Sequence, residues 1–229
     1  MNKLIKKVIG KRLQFQTASN NFIHPSQLGD LKFKSTTDTG VVLTYIIHSS
    51  WVKSLLTSIL AFDIAQFFPS LNHCILTLIL KKAGLDNHII NFFANYLMGR
   101  QTNYFWNNFT SLLFDINVGV NQGSMLSSIL LALYLLLFLY ILEKYLKHLK
   151  IPVSFISFID DDLFISQSKL LHISNCHLFC SYNVITILLE KFGLIVKHSC
   201  YELRSLGLDN RTTLVLSNTR ELDRDLFTN

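Results

Sequence analysis

Hydrophobic residues recur every three to four positions over much of this chain, and that periodicity predicts amphipathic helices. The first such stretch places Leu4, Val8, Ile9 and Leu13 on one face. Polar caps precede several later stretches and a glycine follows several of them, as is usual at helix ends. Helices are therefore predicted over residues 3–18, 36–51, 72–82, 86–98, 124–150 and 168–192.

Shorter runs rich in aromatic and β-branched residues predict strands between these helices. A hairpin is predicted around Asn107-Asn108, and Pro69 is expected to end an earlier strand. The strands lie within residues 58–64, 102–107, 112–118, 155–166 and 194–206. This order of elements suits an antiparallel sheet with helices packed on one side, so the predicted fold class is α+β.

Residues 126–142 are uncharged and almost long enough to cross a bilayer. However, serines shorten the apolar part, two tyrosines interrupt it, and Gln122-Gly123-Ser124 precedes it. A buried core helix is therefore the preferred interpretation, and no stable membrane association is expected. A membrane-associated helical protein is the alternative.

The length of 229 residues suits one domain or one and a half, and with 50% hydrophobic residues the chain can bury a sizeable core. A net charge of +6 is compatible with a polyanionic partner without requiring one. Basic residues interrupt the first helix, so it does not have the form of a secretory signal. An intracellular location, nucleus or cytoplasm, is expected rather than secretion.

The four cysteines form no Cys-x-x-Cys pair. Cys176 and Cys180 lie four residues apart on a predicted helix, near His172 and His177, so a zinc site is one interpretation. Buried free thiols in a reducing compartment are the preferred one.

Three consecutive carboxylates, Asp160, Asp161 and Asp162, lie between two strand-like runs. Because aspartate tolerates turn conformations, this block is predicted to form a hairpin tip. Like charges this close repel one another unless a cation lies between them. Oxygen ligands suit a divalent ion, most simply Mg²⁺, while a solvated acidic turn is the alternative.

Two further segments carry related chemistry. In the first, Asp63 ends an apolar strand and Phe68 follows five positions later. In the second, residues 119–127, a loop with two glycines enters a helix. A strand-end aspartate and a distant pair of aspartates could hold two divalent ions about 3.5–4 Å apart, the arrangement used for in-line phosphoryl transfer.

In chain order, these segments resemble motifs A, B and C of reverse transcriptases of the non-LTR (LINE-type) retrotransposon class. Phe158-Ile159-Asp160-Asp161 matches the aromatic-x-Asp-Asp signature. Gln122-Gly123-Ser124-x-Leu126-Ser127 matches the Gln-Gly-x-x-Leu-Ser-Pro element. Phe62-Asp63 with Phe68 matches the first motif. The resemblance extends from about residue 3 to residue 205 and implies a truncated RNA-directed DNA polymerase.

The resemblance implies a polymerase right-hand palm, an antiparallel sheet backed by helices, with partial fingers. Asp63, Asp160 and Asp161 would be catalytic and would hold two Mg²⁺ ions, with Mn²⁺ as the alternative metal. The backbone carbonyl of Ile64 would lie beside these ions.

The same resemblance gives roles to residues that bind the nucleotide. The ring of Phe68 would occupy the space of a ribose 2′-OH, and Gln122 and Gly123 would shape the pocket for the incoming nucleotide. By itself, Phe68 is more simply a core residue, and Gln122 a polar group at a helix cap. The implied partners are an RNA template, a DNA primer and deoxynucleoside triphosphates.

Three positions depart from the family pattern. Ser128 replaces a usual Pro, and Asp162 replaces a small residue, which adds a third negative charge to the predicted tip. Cys200 stands where a Lys is thought to protonate the leaving pyrophosphate, and a thiol donates poorly. The strands of the fingers would precede residue 1, so we expect at most trace activity. A catalytically dead relic of a mobile element is the alternative function.

The resemblance also implies an order of domains along the chain. Partial fingers are expected over residues 1–57, and a palm with motifs A, B, C and a degenerate D over residues 58–206. The resemblance does not extend to residues 207–229, which stay an unassigned tail.

Overall fold

A computed structural model of the chain describes residues 2–20, 22–29, 34–124, 126–159, 161–196 and 202–206. Its helices are α1 (Asn2–Ser19), α2 (Thr36–Val52), α3 (Phe67–Ser70), α4 (His73–Lys82), α5 (Asn87–Leu97), α6 (Ser127–His148) and α7 (Leu171–Lys191). Its strands are β1 (Leu56–Ala65), β2 (Arg100–Thr102), β3 (Phe105–Trp106), β4 (Phe109–Thr110), β5 (Phe114–Ile116), β6 (Val153–Phe158), β7 (Asp161–Ser168), β8 (Ile195–Val196) and β9 (Glu202–Leu206). Within the described residues the predicted elements are confirmed, except around Pro69, which lies inside the short helix α3. Residues 197–201 of the last predicted strand region lie outside the described residues.

Side chains at helix N-termini explain where several helices begin. Ser35 accepts a hydrogen bond from the backbone of Asp38, and the Asp38 carboxylate accepts one from the backbone of Ser35 at 2.6 Å, which makes a capping box at α2. Asn72 and Asp86 accept hydrogen bonds from backbone N–H groups in the first turns of α4 and α5. These bonds satisfy donors that would otherwise lack partners within the helix.

The central sheet has five strands, and β1 lies in its middle. The strand order is β6-β7-β1-β8, and β9 also pairs with β1. Strand β7 pairs antiparallel with one edge of β1, from Leu56↔Ser168 to Asp63↔Asp161. Strands β8 and β9 pair antiparallel with its other edge. The strand that carries Asp63 is therefore held from both sides.

Stacked aromatic rings line one face of this sheet. The ring of Phe164 stacks on those of Phe62 and Phe155, with centroids 5.4 and 5.6 Å apart. Helix α7 covers this face, since Tyr182 contacts Phe62 edge-on at 6.3 Å. The hydroxyl of Ser174 in α7 also donates to a β7 carbonyl oxygen at 3.0 Å.

The opposite face is covered in part by α2, so the prediction that helices pack on only one side is wrong. A buried apolar cluster contains Leu28, Ile59, Ile156 and Ile165. Leu43, Ile46 and Ile47 of α2 pack against that cluster. Gln167 of β7 also donates a hydrogen bond to the hydroxyl of Ser50 in α2. Residues of α2 are mostly half-buried or exposed, so this helix covers the opposite face of the sheet only in part.

The chain divides into two compact units, each made of two segments. One contains Met1–Ile23 and Gln66–Leu137, and the other contains His24–Ala65 and Phe138–Asn229. The second unit holds the five-stranded sheet, and the first holds the β2-β5 and β3-β4 ladders. The predicted domain boundaries at residues 57 and 206 stay a prediction.

Helix α6 is the one helix among the described residues that is long and apolar enough to cross a membrane by length and composition. Within its most apolar window, 67% of the residues are buried inside the protein. A core helix of a soluble protein passes the same test, so this burial favours the core-helix interpretation.

The prediction of buried thiols is wrong for the described cysteines, because Cys74, Cys176 and Cys180 are all exposed. Cys200 lies outside the described residues. No group of three or more His, Cys, Asp or Glu side chains in the described ranges could hold a metal, which leaves the zinc interpretation without support there.

His24 is buried between aromatic rings in the second unit. Its ring stacks on Phe155 at 5.4 Å and contacts Tyr140 edge-on at 4.7 Å. The backbone of Ser26 donates to Nδ1 at 3.2 Å, and Nε2 lies 3.5 Å from Glu143. Burial lowers the pKa of His24 below its ordinary 6.5, which Glu143 opposes in part.

The stability of the fold should therefore decrease as the pH falls below about 6.5. In that range the unfolded chain binds a proton at His24 and the folded chain does not, and the loss levels off below the folded-state pKa. His24→Phe keeps an aromatic ring and should flatten this dependence, as measured by urea unfolding across a pH series. A slope that stays the same in His24→Phe would show that His24 does not cause this dependence.

The aromatic stack should be a main source of stability for the sheet. Phe164 is 1% exposed, so Phe164→Ala leaves a cavity and should cost about 3–5 kcal/mol of unfolding free energy. Phe105→Ala, at a ring that is 74% exposed, should change it by less than about 0.5 kcal/mol. Urea denaturation of both variants measures the difference, and equal losses would contradict the packing described.

Candidate active site

The ladder between β1 and β7 places two aspartates opposite each other. Asp63 is the register partner of Asp161. Directly opposed residues of antiparallel strands present their side chains on the same face, with Cα atoms about 4.5–5.5 Å apart. Asp63 is half-buried and Asp161 is exposed. The pairing thus brings the strand-end aspartate and one aspartate of the hairpin together.

The prediction that all three aspartates form the hairpin tip is wrong. Asp161 and Asp162 belong to β7 and pair with β1 and β6. Ile159 forms part of the turn instead, with a left-handed φ of 64°. Because side chains alternate along a strand, Asp162 lies on the face opposite to Asp161. It is 3% exposed and is the register partner of Phe62, so its charge is not added to the pair.

Asp160, the other predicted catalytic residue of this hairpin, lies outside the described residues. The expectation that its carboxylate faces that of Asp63 therefore stays a prediction. Ile64, whose carbonyl was expected beside the metals, follows Asp63 in β1 and has a buried side chain. It pairs with Val196 of β8, which fixes the backbone at this end of the strand.

The loop over residues 119–123 lies in the first unit, where backbone contacts fix it. The N–H of Gly119 donates to Leu71 O at 2.7 Å, and the N–H of Val120 donates to Phe68 O at 2.8 Å. Gly119 has a φ of 81°, and a Cβ there would lie 2.6 Å from Pro69 O. Only glycine fits this close approach of two backbone segments.

The predicted nucleotide-site residues thus share one unit. Phe68 is half-buried and is bonded through its carbonyl to the loop that contains Gln122 and Gly123. Gln122 and Gly123 are exposed, and Gly123 has a left-handed φ of 82°. Asp63 and Asp161 belong to the other unit.

The structure adds two side chains that sequence reasoning missed. The guanidinium of Arg100 donates to Gly119 O at 2.7 Å and also to the side chain of Asn121. His73 Nε2 lies 2.7 Å from the same carbonyl oxygen. Arg100 and His73 thus hold the loop in place, although neither residue belongs to the loop. Arg100 follows the glycine that ends α5, and no local pattern there indicates a contact nineteen residues away.

The chemistry of the aspartate pair suits a hard divalent cation. Two carboxylates on one face supply oxygen ligands, which Mg²⁺ and Mn²⁺ prefer. Their mutual repulsion also favours a cation between them. Two side chains from the described residues are fewer than a complete ligand set, so further ligands would have to come from Asp160, backbone, water or substrate.

The chain belongs to the reverse transcriptase (RNA-dependent DNA polymerase) family, whose profile matches residues 1–202. No curated protein sequence matches the chain. The predicted fold class, α+β with an antiparallel sheet backed by helices, is confirmed by the likeness to solved telomerases.

Solved telomerases show this fold. The apo telomerase of Candida tropicalis truncated from its C-terminal domain matches with a TM-score of 0.63 at 18% identity, over 91% of this chain and 42% of the telomerase chain. The telomerase of the same species in complex with the TWJ fragment of telomeric RNA gives 0.66 at 16% identity, over 93% and 37%. The Candida albicans telomerase with that RNA fragment gives 0.56 at 16% identity, over 92% and 38%. The chain therefore spans 37–42% of the length of these proteins.

The close approach at Gly119 should make that position far less tolerant than Gly123. Both glycines have left-handed φ values, but a Cβ at Gly123 would meet no atom within 4 Å. Gly119→Ala should therefore lower the free energy of unfolding by at least about 1 kcal/mol more than Gly123→Ala, because backbone atoms must move. Urea unfolding of both variants tests this, and equal losses would show that the loop is not held against Pro69.

Proposed function

We propose that this chain carries the palm of an RNA-directed DNA polymerase from a non-LTR (LINE-type) mobile element. The register pair Asp63–Asp161 is the observation that supports this most strongly, because it sets two carboxylates on one face in a chain of the reverse transcriptase family. The motif C match of Phe158-Ile159-Asp160-Asp161 and the Gln122-Gly123 loop support the element class.

Asp63, Asp160 and Asp161 would hold two Mg²⁺ ions, with the carbonyl of Ile64 beside them. When bound, the ions would lower the pKa of the attacking primer hydroxyl and neutralise charge on the transferring phosphate. All three aspartates would supply negative ligands, and the pairing of β1 with β7 would keep Asp63 and Asp161 fixed while substrate enters.

Phe68 and the loop over residues 119–123 would select the nucleotide. The half-buried ring of Phe68 would exclude a ribose 2′-OH, which favours deoxynucleotides and a DNA product. The carbonyl of Phe68 accepts a hydrogen bond from the N–H of Val120, so a change in the loop conformation would also move the Phe68 ring. Gln122 and Gly123 are exposed and available to the incoming nucleotide and the template base.

The partners in this proposal are an RNA template, a DNA primer and deoxynucleoside triphosphates. A net charge of +6 is favourable for such polyanions, and related folds occur in telomerases solved with telomeric RNA. The proposed location is the nucleus or cytoplasm. The burial of α6 supports the absence of stable membrane association.

Primer extension on an RNA template with purified protein tests the proposal. The unmodified chain should incorporate deoxynucleotides at trace level with Mg²⁺, because Cys200 supplies no positive charge where a Lys is expected. Cys200→Lys should raise the rate by a factor of about 10²–10³, the effect of one well-placed group that stabilises transition-state charge. Asp63→Asn and Asp161→Asn should abolish extension in both backgrounds.

Asp115→Asn is the matched control, since this exposed carboxylate lies in β5 and bonds to Gln101. It should leave extension unchanged. Incorporation that persists in Asp63→Asn would show that the paired aspartates are not the site. Absence of incorporation by both the unmodified chain and Cys200→Lys, with Mg²⁺ and with Mn²⁺, would favour the inactive relic.

A further inference from the structure

A short segment far from the aspartates in sequence runs along the edge of their hairpin. Residues 24–29, here named the strap, lie beside β6. Gln27 forms a parallel bridge with Ser157, the N–H of Leu28 donates to Ser157 O at 2.8 Å, and the N–H of Ser157 donates to Ser26 O at 2.9 Å. The strap thus satisfies the outer backbone groups of β6 close to the turn.

Side chains hold the strap against the sheet on both sides of that bridge. Leu28 is buried in the apolar cluster with Ile156 and Ile165. His24 stacks on Phe155 and contacts the ring of Tyr140 edge-on. Because both contacts involve core residues, the strap cannot shift without disturbing the packing of β6.

Gly29, the last residue of the strap, lies directly against the turn at Ile159. A Cβ on Gly29 would lie 2.6 Å from Ile159 N, 2.7 Å from Ile159 Cγ1 and 2.9 Å from the carbonyl carbon of Phe158. Two of these three atoms are backbone, so a change of side-chain rotamer could not relieve the overlap. Gly29 does not have a left-handed φ, so space alone requires glycine here.

The residue under this contact has an unfavourable conformation. Ile159 has a φ of 64°, which is rare for a β-branched residue because its side chain crowds the backbone. Such a conformation persists only where surrounding structure enforces it, at a cost of about 1–3 kcal/mol. The strap is the packed backbone next to it, and Asp161, the partner of Asp63, follows two residues later.

We propose that Gly29 is a positioning residue for the metal-binding aspartates. Its lack of a side chain lets the strap lie against Ile159 and hold the turn in the left-handed form, which directs the carboxylate of Asp161 to the face that carries Asp63. The inference rests on the proposed function. It differs from a role in stability alone, because moving the turn should weaken metal binding in molecules that remain folded.

Mn²⁺ binding to the full chain tests this, with free Mn²⁺ read from its EPR signal during a titration. Gly29→Ala should weaken the Asp63-dependent binding by about 10–100-fold, the usual effect of losing a group that orients a metal ligand. It should also lower kcat for primer extension while the KM for the primer–template stays constant. Gly40→Ala is the matched control, since a Cβ at this α2 position meets no atom within 4 Å.

Ile159→Gly provides a second test should Gly29→Ala fail to fold. Glycine accepts a φ of 64°, so folding should be retained, but the turn loses the side chain that lies over the strap. Mn²⁺ binding should again weaken. Unfolding in urea, measured on every variant, separates lost stability from lost binding.

The outcomes distinguish this inference from the proposed function. If the unmodified chain binds Mn²⁺ in a manner that Asp63→Ala abolishes, but Gly29→Ala and Ile159→Gly bind it equally well, the strap inference is wrong and the metal site stands. If the unmodified chain shows no Asp63-dependent Mn²⁺ binding, both are overturned.

Discussion

The register of β7 against β1 is the constraint on which the site depends. Side chains alternate along a strand, so a slip of one residue would move Asp161 to the aromatic face and Asp162 to the face of Asp63. Apolar residues prevent that slip. Phe164 stacks between Phe62 and Phe155 on one face, and Ile165 packs with Ile59 on the other. Packing in the core of the sheet therefore sets the register that places Asp161 beside Asp63.

The same register distributes three consecutive negative charges between two environments. A turn containing all three would concentrate repulsion at one point, whereas the ladder leaves Asp161 beside Asp63 and turns Asp162 into the buried face. Burying a carboxylate is costly even when it is hydrogen-bonded. This burial lowers the stability of the sheet, and the packing of the aromatic rings next to Asp162 offsets that loss. The departure from a small residue at this position therefore bears more on folding than on the charge of the site.

Local signals in the sequence were sufficient for most elements. Ser35, Asn72 and Asp86 begin helices by bonds to their own first turns, and these can be recognised from spacing alone. The errors arose where a non-local contact decides. Residue type placed all three aspartates in the turn, but pairing with β1 extends β7 back to Asp161 and leaves Ile159, a poor turn former, to make the bend. Cys176 and Cys180 are exposed because the buried face of α7 runs through Leu178, Ser181 and Ile185.

The contact between Gly29 and Ile159 illustrates why part of a site cannot be recognised in a single sequence. A glycine in a loop is ordinarily explained by a turn with positive φ, and Gly29 has none. Its requirement comes from backbone 130 residues further along the chain. The strain at Ile159 cannot be recognised in the sequence either, because turn propensity would not place an isoleucine at a position with positive φ. The local sequence therefore explains neither the glycine at position 29 nor the conformation of Ile159. The pairing of the strap with β6 explains both, because it brings the two residues into contact. Ile159 lies two positions before Asp161. Its strained backbone conformation therefore helps to set how the chain enters β7, where Asp161 pairs with Asp63.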